Sequence, residues 1–367
     1  MRILVHFGQA KTGTTALQHT FGKHRRDLAG RGILYPRLPK VPHNHGLLAI
    51  GFKAAETLHP NFLRMFGGDA EAMRAGGEQA WDAVRQQVEQ ERPELLVLSA
   101  EEYFSQLNAE AAERLRSRLE GLGAARADIA TCVYLRDPAS QLLSLIAQNA
   151  VSMMPLSNQL RLHAKGRLAA LEATFPAAPT VCAYDRARLA GGDIVQDFVT
   201  RFLPEIADLT LTAPQRKNVS LSGEGTAIVL WYRDRLLTER RPDTIHQVRR
   251  IRQFLARIEV ADGISRKARL RPEVHDAIIR GSEELIWLRD THGLTYTGID
   301  YATIDGKAPK LPAPTPATID RFLDLDLDLR DHLLARLVQD LLPEMPAAGI
   351  GPRADLDDDS DDAVDAA

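Results

Sequence analysis

Cysteine is scarce in this 367-residue chain, with Cys132 and Cys182 the only two. Both fall in apolar, strand-like runs without a metal-ligand neighbour at short spacing. That excludes a disulfide framework as the organising principle. A single disulfide stays open, with two reduced core thiols preferred. Charge of one sign is lacking as well, since 46 Lys and Arg against 49 Asp and Glu leave a formal charge of −3. Wholesale binding to nucleic acid or to an anionic membrane is not indicated, so any anion site must be local. No apolar run reaches the length of a membrane span. No secretory leader precedes the first apolar run, which makes a soluble, cytoplasmic protein the expectation. No internal repeat is present.

What is present is ordinary globular usage, 44 % apolar and 26 % charged, enough for one large α/β domain or two modest ones. Short apolar runs end in small or polar residues at Ile3–Phe7, Ile33–Pro36, Leu95–Leu98, Ile129–Leu135 and Thr180–Tyr184. Helical spacing separates them over Thr14–Leu28, Trp81–Gln90, Ala109–Leu122, the stretch after Pro138, and Ile194–Phe202. This alternation predicts a mostly parallel sheet flanked by helices. Ligands in such sheets bind beyond the carboxyl ends of the strands. The spacing predicts one α/β unit over residues 1–300, helical from about 224. Residues 301–318, with Pro309, Pro312, Pro314 and Pro316, read as a linker. A C-terminal helix is expected at 319–343 and an acidic, disordered tail at 350–367.

The first strand opens onto Gly8-Gln9-Ala10-Lys11-Thr12-Gly13-Thr14-Thr15. Small residues let the backbone wrap an anion, and a helix start supplies unpaired N–H groups and a positive dipole end. The spacing approaches the nucleotide loop G-x-x-x-x-G-K-[ST], but Thr14 stands where that loop has lysine. The lysine comes instead at Lys11, on the crest, where it meets a group beyond a single 5′-phosphate. A second basic position follows a later strand: Arg136-Asp137-Pro138, with Ser144 eight residues on in the next helix. Arginine suits bidentate phosphate contact. A third strand ends in Ser99-Ala100-Glu101, with Glu102 beside it.

Lys11-Thr12-Gly13-Thr14-Thr15 resembles the 5′-phosphosulfate loop of the sulfotransferases that use 3′-phosphoadenosine 5′-phosphosulfate (PAPS). Arg136 and Ser144 resemble that family's grip on the 3′-phosphate. Ser99-Ala100-Glu101 resembles the Ser-x-Glu of its carbohydrate-type members, in which the glutamate is the base. The resemblance spans roughly residues 1–220. It implies a three-layer P-loop-type fold, PAPS as donor, adenosine 3′,5′-bisphosphate as product and no metal. The partners implied are the nucleotide and a hydroxyl- or amine-bearing acceptor, most readily a saccharide. Lys11, Thr12, Gly13, Thr14 and Thr15 would hold the 5′-phosphate, with Tyr184 at the adenine. The family's Arg-Lys-Gly loop is matched only by Arg216-Lys217-Asn218, so Arg216 or Lys217 is carried over as an anion contact alone.

Other readings stay open at this point. Glu101 is as well explained by an ordinary solvated acid at a strand end, and His45 is a rival base. His43-Asn44-His45 tempts a zinc assignment but has no third ligand nearby. His6 reads as a core histidine satisfied by a backbone carbonyl, and Tyr184 serves core packing equally well. Arg249-Arg250-Ile251-Arg252, with Arg257, reads as a solvated helix face or as an attractor of a sulfated or acidic polymer. Two rival functions remain: a P-loop small-molecule kinase using ATP and Mg²⁺, and a non-catalytic nucleotide- or glycan-binding module.

Overall fold

The computed structural model of the chain describes residues 1–52, 60–152, 163–211, 220–236, 242–307, 311 and 314–341. Five strands form one all-parallel sheet: β1 (Arg2–Gly8), β2 (Ile33–Leu34), β3 (Leu95–Ala100), β4 (Ile129–Leu135) and β5 (Thr180–Ala183), in the order β2-β3-β1-β4-β5. Helices α1 (Thr14–Lys23), α2 (Arg25–Ala29), α3 (Pro60–Met65), α4 (Ala70–Glu91), α5 (Glu101–Gln106) and α6 (Ala109–Glu120) fill the first crossovers. The last crossover carries α7 (Pro138–Ser152) and α8 (Ala164–Thr174), and α9 (Ile194–Phe202) follows β5. Beyond it lie α10 (Gly223–Leu236), α11 (Pro242–Ala261), α12 (Pro272–Arg280), α13 (Glu283–His292) and α14 (Leu327–Leu341). Among the described residues no helix is long and apolar enough to cross a membrane.

The strands are apolar on both faces, as parallel strands covered by helices must be. Alternate side chains of β1 divide between two cores. Ile3, Val5 and Phe7 join the larger, which runs through α4 to α8 and on to Leu337 of α14. Leu4 faces the smaller, made with Leu17 and Phe21 of α1 and Phe198 of α9. Cys132 and Cys182 are buried, free thiols of that smaller core. From β1 the chain crosses towards β2 on one side of the sheet, and from β4 it continues to β5 on the other. The order therefore reverses between β1 and β4, and the crevice for a ligand opens where those two strands end, at Gly8 and Leu135.

Several boundaries differ from the sequence expectation. The helix expected over Thr14–Leu28 is broken at His24 into α1 and α2. α4 starts eleven residues before Trp81 and runs through Gly76 and Gly77, both poor helix formers. Both are in close contact: a Cβ at Gly77 would stand 2.8 Å from Ile50, and one at Gly76 would strike the Phe66 ring. Packing thus overrides their poor propensity. The C-terminal helix expected from Ile319 begins only at Leu327. Before it, a short 3-10 turn (Pro316–Arg321) leads to Leu323, which bridges antiparallel to Leu270 and is fully buried with Phe322. Pro309 and Pro312 of the expected linker, and the expected tail at 350–367, lie outside the described residues.

Gly8 shows how tightly the first turn is built. A Cβ there would fall 2.0 Å from Thr14 Oγ1, so the end of β1 and the start of α1 are in backbone-to-side-chain contact. Gly8→Ala must displace Thr14, an overpacking cost of about 1–3 kcal/mol. The expected result is a lowered thermal midpoint, measured by circular dichroism. An unchanged midpoint would mean the turn is looser than described.

Candidate functional site

The loop from Gly8 to Thr15 closes by local hydrogen bonds. The Thr12 hydroxyl donates to the Gln9 carbonyl at 2.7 Å and lies 3.5 Å from the Thr14 hydroxyl. Lys11 and Gly13 both take left-handed backbone angles, φ 72° and 75°. For Gly13 this costs nothing, and the position has no room for more, since a Cβ would stand 3.0 Å from Tyr184 and Ile194. For Lys11 it costs on the order of 1–2 kcal/mol, strain that carries its side chain over the crest. No side chain caps the N-terminus of α1, and no acid occupies its first turn. Its first N–H groups have no intrahelical acceptor. Together with the macrodipole, they make the loop a place for an anion.

The Arg136 strand end is tied to this loop by Gln9, which sequence reasoning missed. The buried Gln9 amide accepts from the Arg136 backbone N–H at 2.8 Å and donates to Gln141 Oε1 on α7 at 3.0 Å. The Arg136 guanidinium donates to the Lys11 carbonyl at 3.3 Å and sits 5.7 Å from the centre of the Tyr184 ring. Burial lowers the Arg136 pKa, Asp137 and Tyr184 oppose that, and Arg186 adds to it. The structure thus brings Lys11, Gly13, Arg136 and Tyr184 together, while Thr12 and Thr14 are buried in the turn itself and Thr15 is exposed on the first turn of α1.

Two cavities meet there. One, of about 710 Å³, is lined by Arg136, Ser144, Tyr184, Arg186 and Lys267 among others. The second, of about 500 Å³, is lined by Lys11, Ser144 and residues of α10 and α11. Ser144 belongs to both. Each is of ligand-binding size. Arg186 and Lys267 join Arg136 among the cations of the larger cavity, beside the acids Asp137, Asp185 and Glu259, and no spacing in the sequence marks them. Arg216 and Lys217 lie outside the described residues.

Glu101 is the first residue of α5. Burial raises its pKa, and the nearby Lys11 charge pulls it back down. Lys11 responds in the opposite sense: burial lowers it, Glu101 raises it and Arg136 lowers it. The two groups therefore share one partly dry environment. Glu102 is distinct. Its Oε2 is buried without a hydrogen-bond partner and lies against Gly46, and burial pushes its carboxyl up to about 7.

His45 is fully buried and occupied at both ring nitrogens. Nδ1 accepts from the Ser99 N–H at 3.0 Å, and Nε2 donates to the Pro36 carbonyl at 2.9 Å. Burial holds its pKa down to about 3. As a base His45 has no free nitrogen, and its place is to clamp the end of β3 to the 36–45 loop. The His43 ring turns instead to His19, 4.9 Å between centroids, so the H-x-H pair does not converge on one point. His6 is a core histidine as expected, but its partner is the Ser99 hydroxyl at 2.8 Å rather than a backbone carbonyl.

Compared with known proteins, the chain matches no family model and no curated sequence.

Glu102 yields a pH test. Its folded pKa lies above its ordinary value, so the folded state holds the proton more tightly than the unfolded chain. Stability from this group falls as pH rises from about 4.5 to about 7 and is level above. Glu102→Gln should raise the thermal midpoint relative to the parent at pH 8 and leave it unchanged at pH 4. Equal effects at both pH values would show a solvated carboxylate.

Proposed function

We propose that this chain is a PAPS-dependent sulfotransferase of P-loop type that transfers a sulfuryl group to a hydroxyl or amine, on a saccharide acceptor. One observation carries the reading: two anion-facing features, the Gly8–Thr15 loop and Arg136, stand at a single crevice joined by the Gln9 amide. A nucleotide with phosphates at both its 5′ and 3′ positions needs two such features. The absence of lysine at position 14 weighs against a triphosphate donor. The uncapped α1 start, the Arg136 guanidinium with Lys267 on the same cavity, and the ring of Tyr184 fit the donor's 5′-phosphate, 3′-phosphate and base.

In the proposed step the acceptor oxygen attacks sulfur in line. The S–O bond to the 5′-phosphate breaks, and its electrons stay on that phosphate oxygen. Glu101, ionised, takes the acceptor proton; burial raises its basicity, which suits a general base. Lys11 stands within electrostatic reach of Glu101 and neutralises charge on the departing oxygen. The N–H groups of Gly13 to Thr15 and the Thr15 hydroxyl hold the 5′-phosphate, since the Thr12 N–H already donates to the Gln9 carbonyl. Positioning and electrostatic stabilisation are the protein's contribution.

Binding tests the donor. Adenosine 3′,5′-bisphosphate should raise the melting temperature, and Arg136→Ala should weaken it about tenfold or more while leaving 5′-AMP unaffected. That loss is the size of one charged hydrogen bond, about 1.5–3 kcal/mol. A thermal shift with ATP–Mg²⁺ alone would overturn the reading in favour of a kinase.

Turnover tests the roles. Lys11→Ala should lower kcat by about 10² or more. Glu101→Gln should lower it by about 10²–10⁴ and spare the affinity for adenosine 3′,5′-bisphosphate. Full activity of Glu101→Gln would remove that residue as the base.

A further inference from the structure

The cavity beside Lys11 has a chemistry of its own. Its floor is Thr226 and Val229 of α10, both buried. One wall is the stripe Ser144, Ala147, Gln148 and Val151 of α7, at the i, i+3, i+4, i+7 spacing of one helix face. The opposite wall is Arg249, Arg252 and Gln253 of α11. No acidic side chain is found among its described lining residues.

The basic run on α11 is therefore not one uniform solvated face. Val248, Ile251, Leu255 and Ile258 turn into the core. Arg250 and Arg257 both lie over the Phe254 ring, 5.7 and 4.4 Å from its centre. Arg249 and Arg252, one helical turn apart, are the two that reach the cavity. Lys11, Arg249 and Arg252 put three cations on one small cavity, against the single carboxylate of Glu259 that acts on Arg252 from the adjoining cavity, and the balance is a local positive field. Guanidinium groups match carboxylate and sulfate oxygens in bidentate geometry.

We propose that this cavity receives the acceptor, and that the acceptor is an acidic saccharide whose carboxylate or sulfate group is read by Arg249 and Arg252. The inference rests on the sulfotransferase reading for the word acceptor, but the anion site stands on its own lining. The cavity shares Ser144, Ala147, Ser220 and Leu221 with the Arg136 cavity. An anchored anion there would leave a neighbouring hydroxyl to face Lys11, the residue common to both the phosphate loop and this cavity. Gln148 and Gln253 offer neutral hydrogen-bonding groups on opposite walls, suited to sugar hydroxyls.

The test is calorimetric titration of the full chain, with and without saturating adenosine 3′,5′-bisphosphate. The probes are a glucuronate-containing tetrasaccharide, an O-sulfated tetrasaccharide and the carboxyl-reduced neutral counterpart. At least one acidic probe should bind tenfold or more tightly than the neutral one, with affinity falling as salt rises. Which acidic probe binds names the anion. Arg249→Gln, at an exposed position, should weaken that binding several-fold, and Arg249→Gln with Arg252→Gln tenfold or more. In both variants the affinity for adenosine 3′,5′-bisphosphate should stay within about twofold. Three results overturn the proposal: no acidic probe binds, the neutral probe binds equally well, or the double variant loses the bisphosphate instead. Binding of an acidic probe through these arginines without any binding of the bisphosphate would keep the anion cavity and discard the sulfotransferase reading.

Discussion

The amide of Gln9 is the contact on which the crevice depends. One face of it holds the backbone of Arg136 and the other holds Gln141 on α7. β1 and β4 are already paired through six residues, yet sheet pairing alone leaves the loops beyond the strands free to diverge. The buried amide removes that freedom, because breaking it strands a donor and an acceptor away from water at about 1–3 kcal/mol each. The Arg136 guanidinium adds a second tie, to the Lys11 carbonyl. A loop bent through two left-handed residues is thus tied to a strand end bearing arginine.

A second constraint acts on β3. Ser99 binds the His6 ring through its hydroxyl, the His45 ring through its N–H and Gln18 through its carbonyl. Both histidines are buried and kept neutral, each with a pKa near 3. They fix the strand end without bringing charge near the site. The charges that matter are Lys11 and Glu101, each shifted by burial and each partly restored by the other. In such low-dielectric surroundings a single opposite charge counts for more than it would in water.

The helices after β5 contribute the other half of the crevice. α11 presents Arg249 and Arg252 to a cavity that α7 and α10 complete. The segment after α11 brings Lys267 to the Arg136 side. Arg266 in the same segment is held by Glu224 and Asp324, which orders the turn that carries Lys267. The sheet thus supplies the loop and the arginine, and the helical portion supplies the walls.

By itself the sequence determined the alternation of strands and helices, a mostly parallel sheet and the strand ends as the place of the candidate residues, because apolar period and Gly or Pro punctuation are local signals. It located β4 and α9 to the residue and placed Lys11, Arg136 and Ser144 on the elements they occupy. It did not locate α5, whose six residues are too short for a period, nor the start of α4, where Gly76 and Gly77 are paid for by contacts with Phe66 and Ile50. Only tertiary structure decided which polar residues meet. Gln9 and Gln141 are 132 positions apart, and no spacing rule joins them. His45 looked like a base because the sequence shows a ring and hides its two hydrogen bonds. Arg249 and Arg252 looked like a solvated stripe until α7 and α10 closed a cavity in front of them. Propensity and pattern act within a turn or two of chain, whereas burial, shared environment and cavity walls arise from residues that only the fold brings together.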